Sequence, residues 1–230
     1  MTSFKYYRKN DIEKKLEKAR FRPLDVMVTG VTGAGKSTTL NTIFKKNVAT
    51  VGNGVDPETM DLDSYSLNDV FRLWDTPGLG DGIANDKIHK RKLVDLLYKT
   101  YSLDGNIYGW IDSAIVVLEG LNRDMGSTYT LLNEVIVPNI QADRILVVIN
   151  QADMAMKGRH WNKETNRPDE VLVDFLERQA LSIQNRVKEA TGVTIRKPVY
   201  YSAEYGYNIE KLLDFIIDNM IVERRPLVRA

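Results

Sequence analysis

The sequence contains no cysteine among its 230 residues. Disulfide bonds, thiolate metal sites and thiol nucleophiles are therefore excluded. The lack of cysteine is compatible with a reducing compartment, and we expect a cytoplasmic protein. A hydrophobic fraction of 43% is ordinary for a globular protein, so the fold needs no disulfide or structural metal to supplement its core.

An excess of one charge and a long apolar run are also missing. The 32 Lys and Arg residues nearly balance 31 Asp and Glu residues, which gives a net charge of +1. Bulk electrostatics therefore predicts no strong attraction to nucleic acid or anionic lipid. The amino-terminal sequence MTSFKYYRKND lacks the apolar region of a secretory signal. No stretch approaches the roughly 18 apolar residues of a membrane-spanning helix, so we expect the chain not to cross a membrane.

Short apolar runs alternate with helical patterns along the chain. Strands buried in a parallel sheet are predicted at 24–29, 113–118, 145–149 and 199–201. Alternating apolar and polar residues predict an antiparallel hairpin from 60–67 and 70–75. Helices are predicted at 36–46, 86–101, 128–137, 169–190 and 208–222. This order predicts a three-layer α/β fold, with a mostly parallel six-stranded sheet and helices on both faces.

The predicted organisation is one large domain with short additions at both ends. We expect a helical extension over 1–22, the α/β domain over 23–222 and a tail over 223–230. Residues 154–168 fill a long gap between a strand and a helix, and loops of this length are usually functional or disordered. Within that gap, Trp161 fits either a local hydrophobic anchor or part of a partner surface.

A phosphate-binding motif follows the first predicted strand. The sequence GVTGAGKS matches G-x-x-x-x-G-K-[ST] in full, with a strand before it and a helix after it. Glycines allow the backbone N–H groups to point at phosphate oxygens, and the helix adds the positive end of its dipole. We expect Lys36 to reach the β- and γ-phosphates and the Ser37 hydroxyl to bind Mg²⁺, both from a solvent-facing loop. The predicted site consists of Val31, Thr32, Gly33, Ala34, Gly35, Lys36, Ser37 and Thr38.

The motif Asp75-Thr76-Pro77-Gly78 closes the strand that ends at residue 74. Asp75, at the carboxyl end of that strand, can hold Mg²⁺ directly or through a water. The Gly78 N–H can meet the γ-phosphate, because no side chain blocks its approach. Lys36 and Gly78 are therefore candidate catalytic groups, although these features alone do not choose among kinases, ATPases and GTPases.

A base-reading motif ends the 145–149 strand. In Asn150-Gln151-Ala152-Asp153, the Asp153 carboxylate can accept hydrogen bonds from guanine N1–H and the exocyclic amine, a donor pair that adenine lacks. After the last predicted strand, the N–H groups of Ser202 and Ala203 are placed to meet guanine O6. The predicted base site consists of Asn150, Gln151, Asp153, Ser202 and Ala203.

The series GVTGAGKS, DTPG, NQAD and SA resembles the GTPase superfamily, and the Era-like and septin-like branch in particular. Its pattern is most similar to the prophage-associated YfjP type of bacterial GTPase. The resemblance covers about residues 24–220. It implies a Ras-like P-loop fold, GTP and GDP as ligands, Mg²⁺ as cofactor and a nucleotide-dependent switch driven by GTP hydrolysis. A nucleotide-binding scaffold with negligible hydrolysis and a P-loop ATPase or kinase are the alternatives.

The resemblance also implies a switch threonine between the first helix and the second strand. Thr50 and Thr59 both fit, and Thr59 is favoured because it directly precedes the predicted second strand. Thr59 would bind Mg²⁺ and sense the γ-phosphate, alongside Lys36 and Gly78.

Two positions depart from the family pattern. Gln151 stands where the base motif usually has lysine, and Leu79 stands where Ras-type enzymes have a water-orienting glutamine. Leucine cannot orient water, so the sequence predicts slow intrinsic turnover. A homodimer through the nucleotide face could supply a missing group, and Arg123 is one candidate for it.

Overall fold

The computed structural model of the protein describes residues 4–19, 23–44, 64–80, 82–121 and 125–227. The strands in these ranges are β1 (Leu24–Gly30), β2 (Ser64–Asn68), β3 (Phe71–Asp75), β4 (Thr100–Leu103), β5 (Asn106–Gly109), β6 (Ser113–Glu119), β7 (Ile145–Asn150), β8 (Trp161–Asn162), β9 (Arg167–Pro168) and β10 (Val199–Tyr200). The α-helices are α1 (Lys9–Ala19), α2 (Lys36–Phe44), α3 (Ile83–Tyr98), α4 (Gly126–Leu131), α5 (Glu170–Thr191) and α6 (Ile209–Asp218). A π-helical turn, Leu132–Ile136, extends α4.

Six of these strands form the central sheet, in the order β10-β7-β6-β1-β3-β2. The strands from β10 to β3 are parallel to their neighbours, whereas β2 pairs antiparallel with β3. The predicted α/β fold with a mostly parallel six-stranded sheet is therefore confirmed. The predicted hairpin is β2–β3, of which residues 60–63 lie outside the described part of the chain.

Helices cover both faces of the sheet and enclose two cores. The first core contains apolar side chains of α3, α4 and α5 together with Met27 of β1. The second core contains those of α1, α2 and α6 together with Val26 and Val28. Successive side chains of a strand point to opposite faces, so β1 is buried on both sides along its whole length. Across the described ranges, no helix combines the length and apolarity needed to span a membrane.

The local sequence of α5 determines where this helix begins and ends and which of its faces is buried. Its buried side chains recur at helical spacing and form one stripe against the first core; they are Leu172, Leu176, Ala180, Ile183 and Val187. Asp169 caps the start by accepting a hydrogen bond from the Leu172 N–H at 3.0 Å. Gly192 ends the helix in the left-handed region, with φ of 72°.

The predicted helix over 86–101 is wrong at both ends. Helix α3 begins earlier, at Ile83, and ends at Tyr98, after which the chain forms the β4–β5 hairpin. The turn residues Asp104 and Gly105 have φ of 49° and 76°. Asp-Gly favours this two-residue turn because both positions need positive φ. The sequence therefore carried a hairpin signal that the helical pattern of the preceding residues obscured.

The predicted loop over 154–168 is also wrong, because this segment is structured. A 3₁₀ segment, Ala152–Gly158, leads into the small β8–β9 hairpin. Trp161 is 8% exposed, and its ring centroid lies 5.4 Å from that of Tyr205 and 5.5 Å from that of Tyr207. Trp161 is therefore a local hydrophobic anchor that joins this hairpin to the turn after β10.

A buried arginine anchors the carboxyl-terminal segment to neighbouring elements. Arg225 is 1% exposed, and its guanidinium donates to the carbonyl oxygens of Ile111 and Leu97. Its own carbonyl accepts from the Gly109 N–H at 2.9 Å. These contacts tie the chain end to α3, to β5 and to the residues that enter β6.

We expect Arg225→Ala to lower the free energy of unfolding by about 2–4 kcal/mol, because it leaves buried carbonyl groups without donors and opens a cavity. Urea denaturation followed by circular dichroism measures this change. Arg224→Ala is the matched control, since Arg224 stacks on the rings of Tyr101 and Tyr108 at 6.0 and 5.2 Å. A loss at position 225 no larger than that at 224 would contradict the anchoring role.

Candidate nucleotide-binding site

The predicted site residues meet at one edge of the central sheet. Gly30 ends β1, Asp75 ends β3, Asn150 ends β7, and Ser202 follows β10 closely. These strands are parallel, so their carboxyl ends lie side by side. Ligands of open α/β sheets bind outside this edge.

The glycines of the phosphate motif, residues 30–37, allow a turn that other residues would block, and we term it the phosphate turn. Gly33 and Gly35 have φ of 88° and 81°, in the left-handed region. A β-carbon on Gly35 would lie 2.3 Å from Asn150 Nδ2. The turn therefore packs directly against the base motif. It is followed immediately by α2, which begins at Lys36.

Lys36 points back into this turn. Its ammonium donates to the carbonyl oxygens of Val31 at 3.1 Å and Gly30 at 3.4 Å. The side chain is 8% exposed, so the expectation of a solvent-facing lysine is wrong, whereas Ser37 is exposed. A buried ammonium needs acceptors, and in this structure the backbone provides them.

Ser37 and Asp75 bring two hard oxygen atoms together. The Ser37 hydroxyl donates to Asp75 Oδ2 at 3.1 Å. Adjacent ligands of an octahedral Mg²⁺, each about 2.1 Å from the ion, are about 3.0 Å apart. The pair therefore fits two neighbouring Mg²⁺ ligands. Among the described residues, no group of three or more His, Asp or Glu side chains is placed to hold a metal ion.

Residues 76–80, which we term the switch segment, lie against the phosphate turn. The Thr32 N–H donates to the Leu79 carbonyl at 2.7 Å, and the Leu79 N–H donates to the Gly30 carbonyl at 3.3 Å. Leu79 is 1% exposed and belongs to the first core. The side chain at the position of the water-orienting glutamine therefore points into the protein interior.

Asn150 and Gln151 join the phosphate turn to the rest of the site. Asn150 Nδ2 donates to the Ala34 carbonyl at 3.0 Å, and Asn150 Oδ1 accepts from the Ala203 N–H at 3.0 Å. Gln151 Nε2 donates to the Gly33 carbonyl at 2.9 Å. Both side-chain amides therefore hold the backbone around the site in place through hydrogen bonds.

Asp153 is the buried carboxylate of the base motif. It is 8% exposed, and its Oδ1 atom has no hydrogen-bond partner within the described part of the chain. Leaving a buried acceptor unpaired typically costs about 1–3 kcal/mol. An unsatisfied acceptor at this sheet edge fits a ligand that brings a hydrogen-bond donor.

The N–H groups predicted to meet guanine O6 have protein partners in this structure. The Ser202 N–H donates to the Tyr207 carbonyl at 3.1 Å, and the Ala203 N–H donates to Asn150 Oδ1. The turn after β10 pairs with itself and with the base motif, which is why both groups are engaged. A contact with O6 would require one of them to exchange its acceptor.

A buried tyrosine links α2 to the turn after β10. The Thr39 hydroxyl donates to the Gly35 carbonyl at 2.8 Å, and Tyr201 Oη lies 2.9 Å from Thr39 Oγ1. Since Thr39 has one hydroxyl proton, Tyr201 donates in this second bond. Complete burial raises the pKa of the Tyr201 phenol, so it remains a donor at neutral pH. The buried Thr39–Tyr201 pair therefore gives a second connection between the phosphate turn and the base site, in addition to the hydrogen bonds of Asn150 and Gln151.

Sequence reasoning missed His89. Its Nδ1 atom lies 2.7 Å from the Gly78 carbonyl oxygen, although the two residues are separated by the start of α3. No local pattern marks this histidine, because the contact depends on how α3 folds back over the switch segment. Thr50, Thr59 and Arg123 lie outside the described residues.

A comparison with protein families identifies a match over most of the chain. The 50S ribosome-binding GTPase family matches residues 25–188. Septin-12 of Rattus norvegicus is 36% identical over 93 residues, which are 33% of this chain and 26% of Septin-12. The tRNA modification GTPase MnmE of Bacteroides thetaiotaomicron is 29% identical over 133 residues, 56% of this chain and 26% of MnmE. The match therefore spans about a quarter of each of these two curated relatives.

Solved structures of nucleotide-bound proteins share the fold. Toc33 from Arabidopsis thaliana, in complex with GDP and Mg²⁺, superposes with a TM-score of 0.63 at 17% identity, over 98% of this chain and 96% of Toc33. A GTP-binding protein from Sulfolobus solfataricus, in complex with GDP, gives a TM-score of 0.53 at 21% identity, over 94% of this chain and 58% of that protein. At these identities the likeness concerns the fold alone.

Proposed function

The chain belongs to the 50S ribosome-binding GTPase family, and on that premise we propose that it binds GTP and GDP with Mg²⁺ and hydrolyses GTP to GDP and phosphate. The observation that carries the proposal is Asp153 Oδ1, a buried acceptor without a partner in the described ranges, at the same sheet edge as the phosphate turn. Guanine N1–H and its exocyclic amine supply the donors that this carboxylate lacks, whereas adenine does not.

The phosphate turn would hold the α- and β-phosphates. In this proposal the N–H groups from Gly33 to Ser37 turn toward the phosphate oxygens, and the amino terminus of α2 adds its dipole. Lys36 would exchange the carbonyl oxygens of Gly30 and Val31 for phosphate oxygens. That exchange replaces neutral acceptors with charged ones, so it favours the bound nucleotide.

Ser37 and Asp75 would hold Mg²⁺ at this site, with Thr59 as a further predicted ligand. The 3.1 Å separation of Ser37 Oγ and Asp75 Oδ2 supports this assignment. When bound, the cation supplies positive charge beside the phosphoryl group that is transferred. The described residues leave the remaining ligands to the nucleotide and to water.

Hydrolysis would proceed by attack of a water oxygen on the γ-phosphorus, with cleavage of the bond to the β–γ bridging oxygen. Lys36 and the Gly78 N–H would stabilise charge that develops on the γ-phosphate oxygens. The buried, apolar Leu79 cannot orient the water. We therefore expect an incomplete catalytic site in the isolated protein, and we propose that a second copy covering the nucleotide face supplies the missing group.

The domain organisation predicted from the sequence is part of this proposal. Residues 23–222 would form the GTPase domain, with the helical extension 1–22 before it and the tail 223–230 after it. A cytoplasmic location, a role as a nucleotide-dependent switch and a place among prophage-associated bacterial GTPases remain predictions.

We expect intrinsic GTP turnover of about 10⁻⁴ s⁻¹ or below, no faster than a Ras-like enzyme without its activator, because the buried, apolar Leu79 cannot orient water. Turnover per molecule should rise with protein concentration as the nucleotide faces pair. Phosphate release, measured over a wide concentration range with sedimentation on the same samples, tests both statements. A fast rate that does not depend on concentration, in a strict monomer, would contradict the proposal, and phosphate release from ATP at the same rate would favour an ATPase.

A further inference from the structure

The switch segment lies close against Thr32 and Lys36 at Gly78. A β-carbon built on Gly78 would lie 2.7 Å from the Thr32 nitrogen and 2.8 Å from Lys36 Nζ. Even one carbon atom attached to Gly78 on this side would therefore overlap both nitrogens. A phosphate group is larger than one carbon atom, so a γ-phosphate between Gly78 and Lys36 requires Gly78 to withdraw, a requirement that GDP does not impose.

The contacts of the switch segment define what resists this withdrawal. Two backbone hydrogen bonds hold Leu79 against Gly30 and Thr32, and burial of the Leu79 side chain adds to them. At Gly78 the segment is also held by a side chain, because His89 Nδ1 lies 2.7 Å from the Gly78 carbonyl oxygen. A carbonyl oxygen is an acceptor, so Nδ1 carries the proton and donates.

Helix α3 gives His89 a fixed position. Its later turns are anchored in the first core by Leu93, Leu96 and Leu97. At its start, Asp86 Oδ1 accepts from the Gly80 N–H at 2.8 Å. Helix α3 therefore contacts the switch segment on both sides of Leu79, through Asp86 at Gly80 and through His89 at Gly78.

We propose that His89 is a positioning residue that holds the switch segment against the phosphate turn and thereby biases the site toward GDP over GTP. This inference rests on the proposed function, because it assigns a regulator to the same site. The imidazole does not touch the nucleotide. It stabilises the arrangement in which Gly78 and Lys36 are too close to admit a γ-phosphate, so its loss should favour GTP selectively.

The test compares GDP and GTPγS affinities, measured by competition with Mg²⁺ present. One neutral hydrogen bond contributes about 1 kcal/mol, so His89→Ala should raise the affinity for GTPγS relative to GDP by about three- to tenfold. His89→Asn, whose amide nitrogen can take the place of Nδ1, should restore the wild-type ratio. His160→Ala, which removes the chain's other histidine, should leave the ratio unchanged.

A ratio in His89→Ala that is unchanged or shifted toward GDP would overturn the inference. So would a ratio in His89→Asn that matches His89→Ala, because the hydrogen bond would then not be the cause. The ratio does not depend on the fraction of folded protein, and His89 is only partly buried. If the wild-type protein binds neither guanine nucleotide, the proposed function fails. If it binds both and the ratio does not respond to His89, the regulatory inference alone fails.

Discussion

Asp153→Asn should move the base preference of the site from guanine to xanthine. In the proposed site the carboxylate would accept two hydrogen bonds from guanine, whereas an asparagine in its place presents one acceptor and one donor. Xanthine carries a carbonyl oxygen where guanine has its amine, so it pairs with that donor. Because Asp153 is buried, a mismatched group has no water to compensate it. Affinity for GDP should fall by about 100-fold or more, and xanthosine diphosphate should bind more tightly to the variant than to the wild type.

Competition titrations with GDP and xanthosine diphosphate measure this change. Asp143→Asn is the matched control, because Asp143 is exposed and lies just before β7, at the opposite end of the strand that leads to Asp153. The control should keep the wild-type preference. If Asp153→Asn bound GDP as the wild type does, the base would lie elsewhere and the assignment of the carboxylate would be wrong.

Lys36→Ala should abolish tight nucleotide binding while the fold remains. The lysine ammonium is the cation that lies inside the phosphate turn, and charge-assisted hydrogen bonds to phosphate are roughly twice as strong as neutral ones. Its loss should weaken GDP and GTP binding by about 100-fold or more. The carbonyl oxygens of Gly30 and Val31 lose a donor, so we also expect a decrease of about 1–2 kcal/mol in the free energy of unfolding.

Titration with GDP and a urea denaturation of the same samples separate the two effects. Lys14→Ala serves as the control, since Lys14 is exposed on α1, a helix that contributes no residue to the proposed site. It should bind nucleotide as the wild type does. Wild-type affinity in a folded Lys36→Ala variant would show that the phosphate turn is not the nucleotide site.

The elements that carry the site could be predicted from the sequence because their signals are local. The strands that end at Gly30, Asp75 and Asn150 carry apolar runs or an apolar–polar alternation, and each ends on the first residue of its motif. Parallel pairing of such strands brings their ends together without further information. The stripe of apolar residues on α5 likewise predicts which face of that helix is buried.

The remaining features depend on contacts between distant segments. The sequence does not predict the β4–β5 hairpin, because the helical pattern of α3 continues past Tyr98 and only Asp104-Gly105 signals the turn. Burial of Lys36 follows from the switch segment folding over it. Asn150 binds the Ala203 N–H, and His89 binds the Gly78 carbonyl oxygen. Each of these hydrogen bonds joins two residues that belong to no common sequence motif. Such contacts are set by tertiary packing, which periodicity and propensity do not encode.

The central claim is that one edge of the sheet selects guanine nucleotides through Asp153 and the phosphate turn. Calorimetric titration of the wild-type protein with GDP and with ADP, each with Mg²⁺, tests it most directly. The account predicts one GDP site per chain and an affinity for GDP at least about 100-fold higher than for ADP, because ADP leaves the buried Asp153 carboxylate without its donors. Equal affinity for the two nucleotides, or tighter binding of ADP, would contradict it.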